Sequence, residues 1–188
     1  DAFICWLLKW SNPEYIEVSK ELHLCGTEII KTFFNKHNVE FPQTIESVEV
    51  FKQDKNIDVL CIVNGVYPII IEDKTTTVEH SNQLIKYYED IKNRAYDLDK
   101  IIRIYFKTYD QSDYASIKEQ DYEVFNRKDL LQILNKYEID NDIFNDFRNR
   151  MNEIQESVDS YKILPLDKWQ WNSWIGFYMG LQQILKDG

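Results

Sequence analysis

The sequence is short of the residues that most often punctuate or staple a chain. Five glycines and four prolines are spread over 188 residues, with no Gly/Ser linker, internal repeat or low-complexity tract. One compact unit is the simplest reading. The three cysteines, Cys5, Cys25 and Cys61, are odd in number and lack CxxC spacing, which suits small buried hydrophobes in a reducing compartment. His23, His37 and His80 stand apart from one another and from the cysteines, so no zinc site is expected. No apolar run approaches the roughly 18 residues of a membrane span, and the opening DAFICWLLKW lacks the pattern of a secretory signal. A cytoplasmic chain with no membrane partner is expected. It begins with Asp rather than Met, as a domain or trimmed piece of something longer would.

Positive charge is also scarce, at 22 Lys and Arg against 32 Asp and Glu, a net charge of -10. That excludes the broad basic field of a general nucleic-acid binder. A local groove, or a metal ion neutralising a carboxylate cluster, can still receive a phosphate backbone. A hydrophobic fraction of 44% with 14% aromatic residues excludes a disordered chain and supplies a core.

What is present reads as strands apolar on both faces among amphipathic helices. Helices are expected over residues 1–9 and 19–36, the second with Leu22, Cys25, Ile29 and Phe33 as its apolar stripe. QTIESVEVFK is a strand candidate, followed by strands near 56–63 and 66–74 turned at Asn64-Gly65. Thr76 and Glu79 have capping-box spacing, so a helix should start soon after Lys74 and run to about Ala95, with Leu84, Tyr88, Ile91 and Ala95 inward. KIIRIYFKT reads as a buried strand and YEVF as a short strand or loop. Helices follow near 127–136, 139–157 and 168–186, the middle one with Ile139, Ile143, Phe147, Met151 and Ile154 on one side. The expected architecture is α/β, a mixed central sheet flanked by helices with a helical C-terminal part.

Asp58 begins one of the apolar strands and Glu72-Asp73-Lys74 ends the next, and unpaired buried charge is costly. Alternation puts Glu72 and Lys74 on one face and Asp73 on the other. A two-residue loop at Asn64-Gly65 pairs Asp58 with Ile71 and sends Glu72 to the opposite face. A three-residue loop Val63-Asn64-Gly65 pairs Asp58 with Ile70 and makes Glu72 its diagonal neighbour. The sequence allows both. If the carboxylates converge they repel unless a cation lies between them, and oxygen ligands with open positions suit Mg²⁺ or Mn²⁺. Such an ion polarises a phosphodiester, with Lys74 close enough to orient the water or stabilise developing charge.

These residues resemble the PD-(D/E)XK nuclease superfamily, of restriction-endonuclease-like fold. Ile57-Asp58 stands for its Pro-Asp, with Ile replacing the proline, and Glu72-Asp73-Lys74 for its (D/E)-x-K. Gln83-Leu84-Ile85-Lys86-Tyr87 is similar to the Q-x-x-x-Y motif of the RecB-like branch, and positions four apart share a helix face. The run IIRIYFKT to NRKDLLQIL is similar in layout to an uncharacterised bacterial family of this superfamily, so the resemblance covers residues 1–136, with 137–188 as a helical extension of the same domain.

The resemblance implies a Mg²⁺- or Mn²⁺-dependent nuclease cleaving DNA rather than RNA, in bacterial or phage defence, repair or recombination. Asp58 and Glu72 would hold the metal with the main-chain carbonyl of Asp73, Lys74 would serve the attacking water, and Gln83 and Tyr87 would support Lys74 and the substrate. The branch also has an acidic residue on an earlier helix, for which Glu28 is preferred over Glu21. Many members act as dimers, so a homodimer or larger complex falls within what the resemblance implies.

Blander readings stand beside these. Asp90-Ile91-Lys92 matches the same triplet inside a predicted helix, so the weight lies in the context of strands and helix around Glu72-Asp73-Lys74. Trp169, Trp171 and Trp174, continuing into Phe177, Tyr178, Leu181 and Leu185, read as packing or an oligomer seam ahead of a base-stacking surface. Lys100, Arg103 and Lys107 read as surface charge, and Lys86, Lys92 and Arg94 as candidate phosphate contacts. The competing functions are an inactive nuclease-fold module that binds nucleic acid or protein, or an effector domain needing a missing partner.

Overall fold

The computed structural model describes residues 1–77 and 83–187. Helix α1 (Ala2–Lys9) and helix α2 (Lys20–Lys36) precede strands β1 (Val48–Asp54), β2 (Ile57–Val63) and β3 (Tyr67–Lys74). Helix α3 (Gln83–Lys92), strand β4 (Ile102–Lys107), the single turn α4 (Ala115–Lys118) and strand β5 (Glu123–Asn126) follow. Helices α5 (Arg127–Leu134), α6 (Asp142–Asp159) and α7 (Trp171–Asp187) complete the chain. Glu79, half of the expected capping box before α3, lies outside the described residues, as does His80.

Local chemistry marks the helix starts. Ser19 Oγ accepts from the Leu22 N–H at the head of α2, and Asn126 forms a reciprocal capping box with Asp129 at the head of α5. At α6, Asn141 accepts from the Phe144 N–H. This start puts Phe144, Met151, Ile154 and Val158 inward and leaves Ile143 55% exposed, so the expected stripe shifts by one position at its N-terminal end.

The strands form one mixed sheet in the order β1-β2-β3-β4-β5. The first three are antiparallel hairpin neighbours, whereas β3, β4 and β5 run parallel. The parallel joins need crossovers, which α3 and α4 supply. Both faces are covered, as the two-sided apolar strands require. On one face Val59, Cys61, Ile69, Ile71, Ile104 and Phe106 meet α1, α2, α5 and α6. On the other, Leu60, Ile70 and Tyr105 meet Leu84, Tyr87 and Ile91 of α3 and Ile117 of α4. Each fully buried aliphatic side chain contributes roughly 1.5–3 kcal/mol. It is Tyr87 that turns inward, with Tyr88 only half-buried.

All three cysteines are buried thiols. Burial pushes Cys25 up to about 12, so it is inert as a nucleophile. Gly26 lets α1 and α2 cross closely, since a Cβ there would lie 2.5 Å from the Leu7 carbonyl oxygen. Among the described residues no helix is long and apolar enough to cross a membrane.

Candidate active site

The β2–β3 hairpin settles how the acidic residues meet. Asn64 and Gly65 are both left-handed, with φ of 55° and 66°, and Val66 N–H donates to the Val63 carbonyl at 3.0 Å. One extra residue, Val66, follows before the ladder resumes at Val63 and Tyr67. The register therefore differs from both alternatives allowed by the sequence. It runs Val63 to Tyr67, Leu60 to Ile70 and Val59 to Ile71, so carried one step further it sets Asp58 directly across from Glu72. The loop is held in this form by Asn64, whose Oδ1 accepts from Glu46 and Ser47 N–H and whose Nδ2 donates to the Thr44 carbonyl.

Alternation then places Asp58, Glu72 and Lys74 on the α3 face of the sheet, in line with Leu60 and Ile70. The Asp58 carboxylate accepts a 3.0 Å hydrogen bond from the Asp73 N–H, which ties it across the end of β3. Glu72 is fully buried. Among the described residues neither of its carboxylate oxygens receives a hydrogen bond of ordinary geometry, but Lys74 Nζ forms an ion pair with Oε1. Burial pushes the Glu72 carboxyl up to about 7; the paired Lys74 ammonium pulls it down, and the neighbouring Asp58 charge adds to the rise.

Helix α3 covers this group. Gln83 and Tyr87, one turn apart, are hydrogen-bonded to each other through Gln83 Nε2 and the Tyr87 hydroxyl. Burial drives the Tyr87 phenol up to about 12, with the charges of Glu72 and Asp58 acting in the same direction. The phenol therefore stays protonated and able to donate toward the carboxylates. Beneath α3, Tyr122 donates to the Leu84 carbonyl at 3.1 Å and anchors the helix.

Glu28 is not brought to this group. It lies on α2, which packs on the opposite face of the sheet, where Tyr137 donates to it at 2.7 Å and Lys136 pairs with it. Burial alone would raise its carboxyl, but these two partners hold it below the usual range. Glu21 is exposed and lines a surface hollow with Glu138 and Asp140. Asp73 turns its side chain to the other face, toward the nitrogen of Asp1, and reaches the site only through its main chain. The rival triplet is part of a structural clamp, since Arg94 bridges Asp90 to Asp54. Arg94 is thereby spent on the fold rather than left for phosphate.

Lys107 was missed, because nothing separates it in the sequence from surface lysines except its place in an apolar strand. It is the β4 partner of Lys74 and is buried, with Nζ donating to the Thr77 carbonyl at 2.5 Å. Burial lowers its ammonium, helped by the Lys74 charge. The alternation of Tyr105 and Lys107 on one face was the available signal.

The donor set can be tested against a metal. Among the described residues no group of three or more His, Cys, Asp or Glu side chains is arranged to hold one. Two carboxylates do meet, one of them buried without an ordinary hydrogen-bond donor. Two hard oxygen ligands with open positions fit an ion that keeps several waters, as Mg²⁺ does.

The family comparison follows the same lines. The model of the PD-(D/E)XK nuclease superfamily named PDDEXK_4 matches residues 2–163, which extends past residue 136 through α6. No curated protein and no solved structure shows significant similarity to the chain. With its five-stranded mixed sheet, its flanking helices and a family match over most of its length, this chain belongs to the PD-(D/E)XK nuclease superfamily.

Proposed function

We propose that the protein is a divalent-metal-dependent nuclease that hydrolyses phosphodiester bonds, most naturally in DNA, with Asp58, Glu72 and Lys74 as its centre. The observation that carries this reading is the pairing of Asp58 with a fully buried Glu72 that has Lys74 as its ion partner. A structural ion pair would not need a second carboxylate directly across from it.

Asp58 and Glu72 would hold the metal together with the carbonyl of Asp73, and Mg²⁺ and Mn²⁺ both suit these oxygens. When bound, the ion supplies Lewis acidity toward the phosphate and lowers the pKa of a coordinated water. Asp58 is pre-set for this by the Asp73 N–H. Lys74 would then turn from Glu72 to orient the attacking water for in-line displacement, in which the water oxygen bonds to phosphorus as the ester P–O bond breaks, its proton passing to solvent and the departing oxygen taking one up from solvent. Gln83 and Tyr87 would close the site from α3, Gln83 donating to the Tyr87 hydroxyl, which is left to donate toward the carboxylates.

The test is cleavage of single-stranded, duplex and branched DNA, and of RNA, with Mg²⁺ or Mn²⁺ by the protein and its Asp58→Ala and Lys74→Ala variants. Activity lost in both variants supports the reading and identifies the substrate. Absence of cleavage together with absence of Asp58-dependent Mn²⁺ binding by calorimetry would replace it with a binding module. A role in defence, repair or recombination, and assembly as a homodimer or larger complex, belong to the same proposal.

A further inference from the structure

A depression leads away from Lys107. Its first part, of about 260 Å³, is lined by Lys107, Tyr114, Asn126, Arg127 and Lys128 and reaches Met179 of α7. Its second, of about 320 Å³, shares Asp110 and Met179 with the first and is walled by Trp171, Trp174 and Tyr178. Because Lys107 is the ladder partner of Lys74, the path starts beside the proposed catalytic lysine. Its chemistry changes along the way, from basic to aromatic.

The aromatic residues of this region divide into two groups. Trp169, Trp174 and Phe177 pack around one another, and Trp169 and Phe177 also meet Tyr161, as an internal cluster should. Trp171 and Tyr178 remain 77% and 59% exposed at the cavity. The packing of α7 on α6 accounts for the first group; Tyr178 stacks on Trp174 and meets Phe177 from the outer side, and Trp171 has no ring contact among the described residues. Asp110 would repel a phosphate, but Arg127 pairs with it at 2.7 Å, while Lys128 stands exposed at the same opening. The second cavity lies at the lower end of the roughly 300–1,000 Å³ span of ligand sites, the size for a base or two rather than a duplex.

A cationic track ending at exposed aromatic faces is the arrangement that binds unpaired strands, because the base faces of a duplex are already stacked. We infer that this cleft receives a single-stranded stretch of the substrate, its backbone passing the exposed Lys128 above the buried ammonium of Lys107 and a base stacking on Trp171 and Tyr178. The inference rests on the nuclease reading for where the strand is cut, and it makes a single strand, or a duplex with an unpaired end, the substrate. Helix α7 lies beyond the span matched by the family model, so this feature belongs to the chain rather than to the match.

The test is fluorescence anisotropy with a labelled oligothymidylate of about 12 nucleotides in EDTA, so that binding is read without cleavage. The Trp171→Ala/Tyr178→Ala protein should bind it roughly fivefold or more weakly. Affinity for a duplex of equal length should not change, and an abasic strand should not distinguish the two proteins. Equal affinity of both proteins for oligothymidylate overturns the inference. So does a change of oligomeric state in the variant, by sedimentation, with strand binding intact, which would make the face a contact between copies. The nuclease reading is judged separately with Mg²⁺ or Mn²⁺. Asp58-dependent cleavage indifferent to the aromatic pair keeps that reading and overturns this one. Strand binding that needs the pair, without any cleavage, does the reverse.

Discussion

Lys74 and Lys107 are paired positions on adjacent parallel strands, the first with its ammonium against the Glu72 carboxylate and the second with its ammonium on the Thr77 carbonyl. Two neighbouring cations on one sheet face are unfavourable to each other, and among the described residues Lys74 alone of the two has an acid partner. Such an arrangement suits a site meant to meet phosphate.

The two lysines should separate experimentally. Lys74→Ala is expected to lower cleavage by about 10²–10³-fold while leaving calorimetric Mn²⁺ binding in place, as removal of one charge-stabilising group does. Lys107→Met should act on affinity instead, weakening single-strand binding at low salt, because the buried ammonium at the floor of the cleft no longer attracts the backbone. Loss of metal binding in Lys74→Ala would show that Lys74 organises the ligands rather than the water.

Glu72 gives a pH prediction with a definite sign. Its folded-state pKa of about 7 lies above the ordinary carboxyl value of 4.5, so the folded protein holds this proton more tightly than the unfolded chain. The metal-free protein therefore has this contribution in full below about 4.5 and loses it as pH rises toward 7, on the order of 3 kcal/mol in total. Urea unfolding in EDTA should show that decline between the two values, and Glu72→Gln should flatten it. A wild-type curve as flat as the variant's would mean that Glu72 ionises at an ordinary pH.

The sequence carried the parts of this site that depend on alternation and missed those that depend on distant partners. Period-two patterning was enough to put Glu72 and Lys74 on one face and Asp73 on the other. The register of Asp58 was out of reach, because Asn64 is committed to main-chain groups of Thr44, Glu46 and Ser47, which lie 17 to 20 residues away in sequence. The inward turn of Tyr87 in place of Tyr88 depends on how α3 lies over Ile70 and Tyr105. The burial of Lys107 depends on the Thr77 carbonyl accepting a hydrogen bond from its ammonium. Of the C-terminal tryptophans Trp174 packs within the chain as expected, whereas Trp171 is exposed on it, since a helical period shows that a stripe exists but not whether this chain or another surface covers it.

Arg127 is the strongest candidate for a stability defect beside the cleft. Its guanidinium is 3% exposed and reaches Asp110 at 2.7 Å, the Thr108 carbonyl at 2.8 Å and Gln155 at 3.0 Å. Removing one partner of a buried pair strands the other charge, so Asp110→Ala should destabilise the protein by about 3–5 kcal/mol. The double variant Arg127→Met/Asp110→Ala should recover most of that loss, because no charge is then left buried. Thermal unfolding of the three proteins decides it, and a double variant no better than Asp110→Ala would mean that the other bonds of Arg127 matter more than its charge.

Glu28 provides the sharpest check on where the centre lies. The family resemblance favours an acidic residue from an early helix, whereas α2 packs on the face of the sheet opposite Asp58 and Glu72. Glu28 is engaged there by Lys136 and Tyr137. Glu28→Gln keeps the length of the side chain and an acceptor for Tyr137 and gives up only a half-exposed ion pair, which costs about 0–1 kcal/mol. Cleavage and Mn²⁺ affinity should therefore stay within about twofold of the parent protein, since no group of the site changes, a shift of only ~0.4 kcal/mol. Asp58→Asn, which keeps shape but removes a ligand charge, should abolish both. If Glu28→Gln behaves like Asp58→Asn, α2 must reach the metal in the working enzyme and the two-carboxylate centre is incomplete.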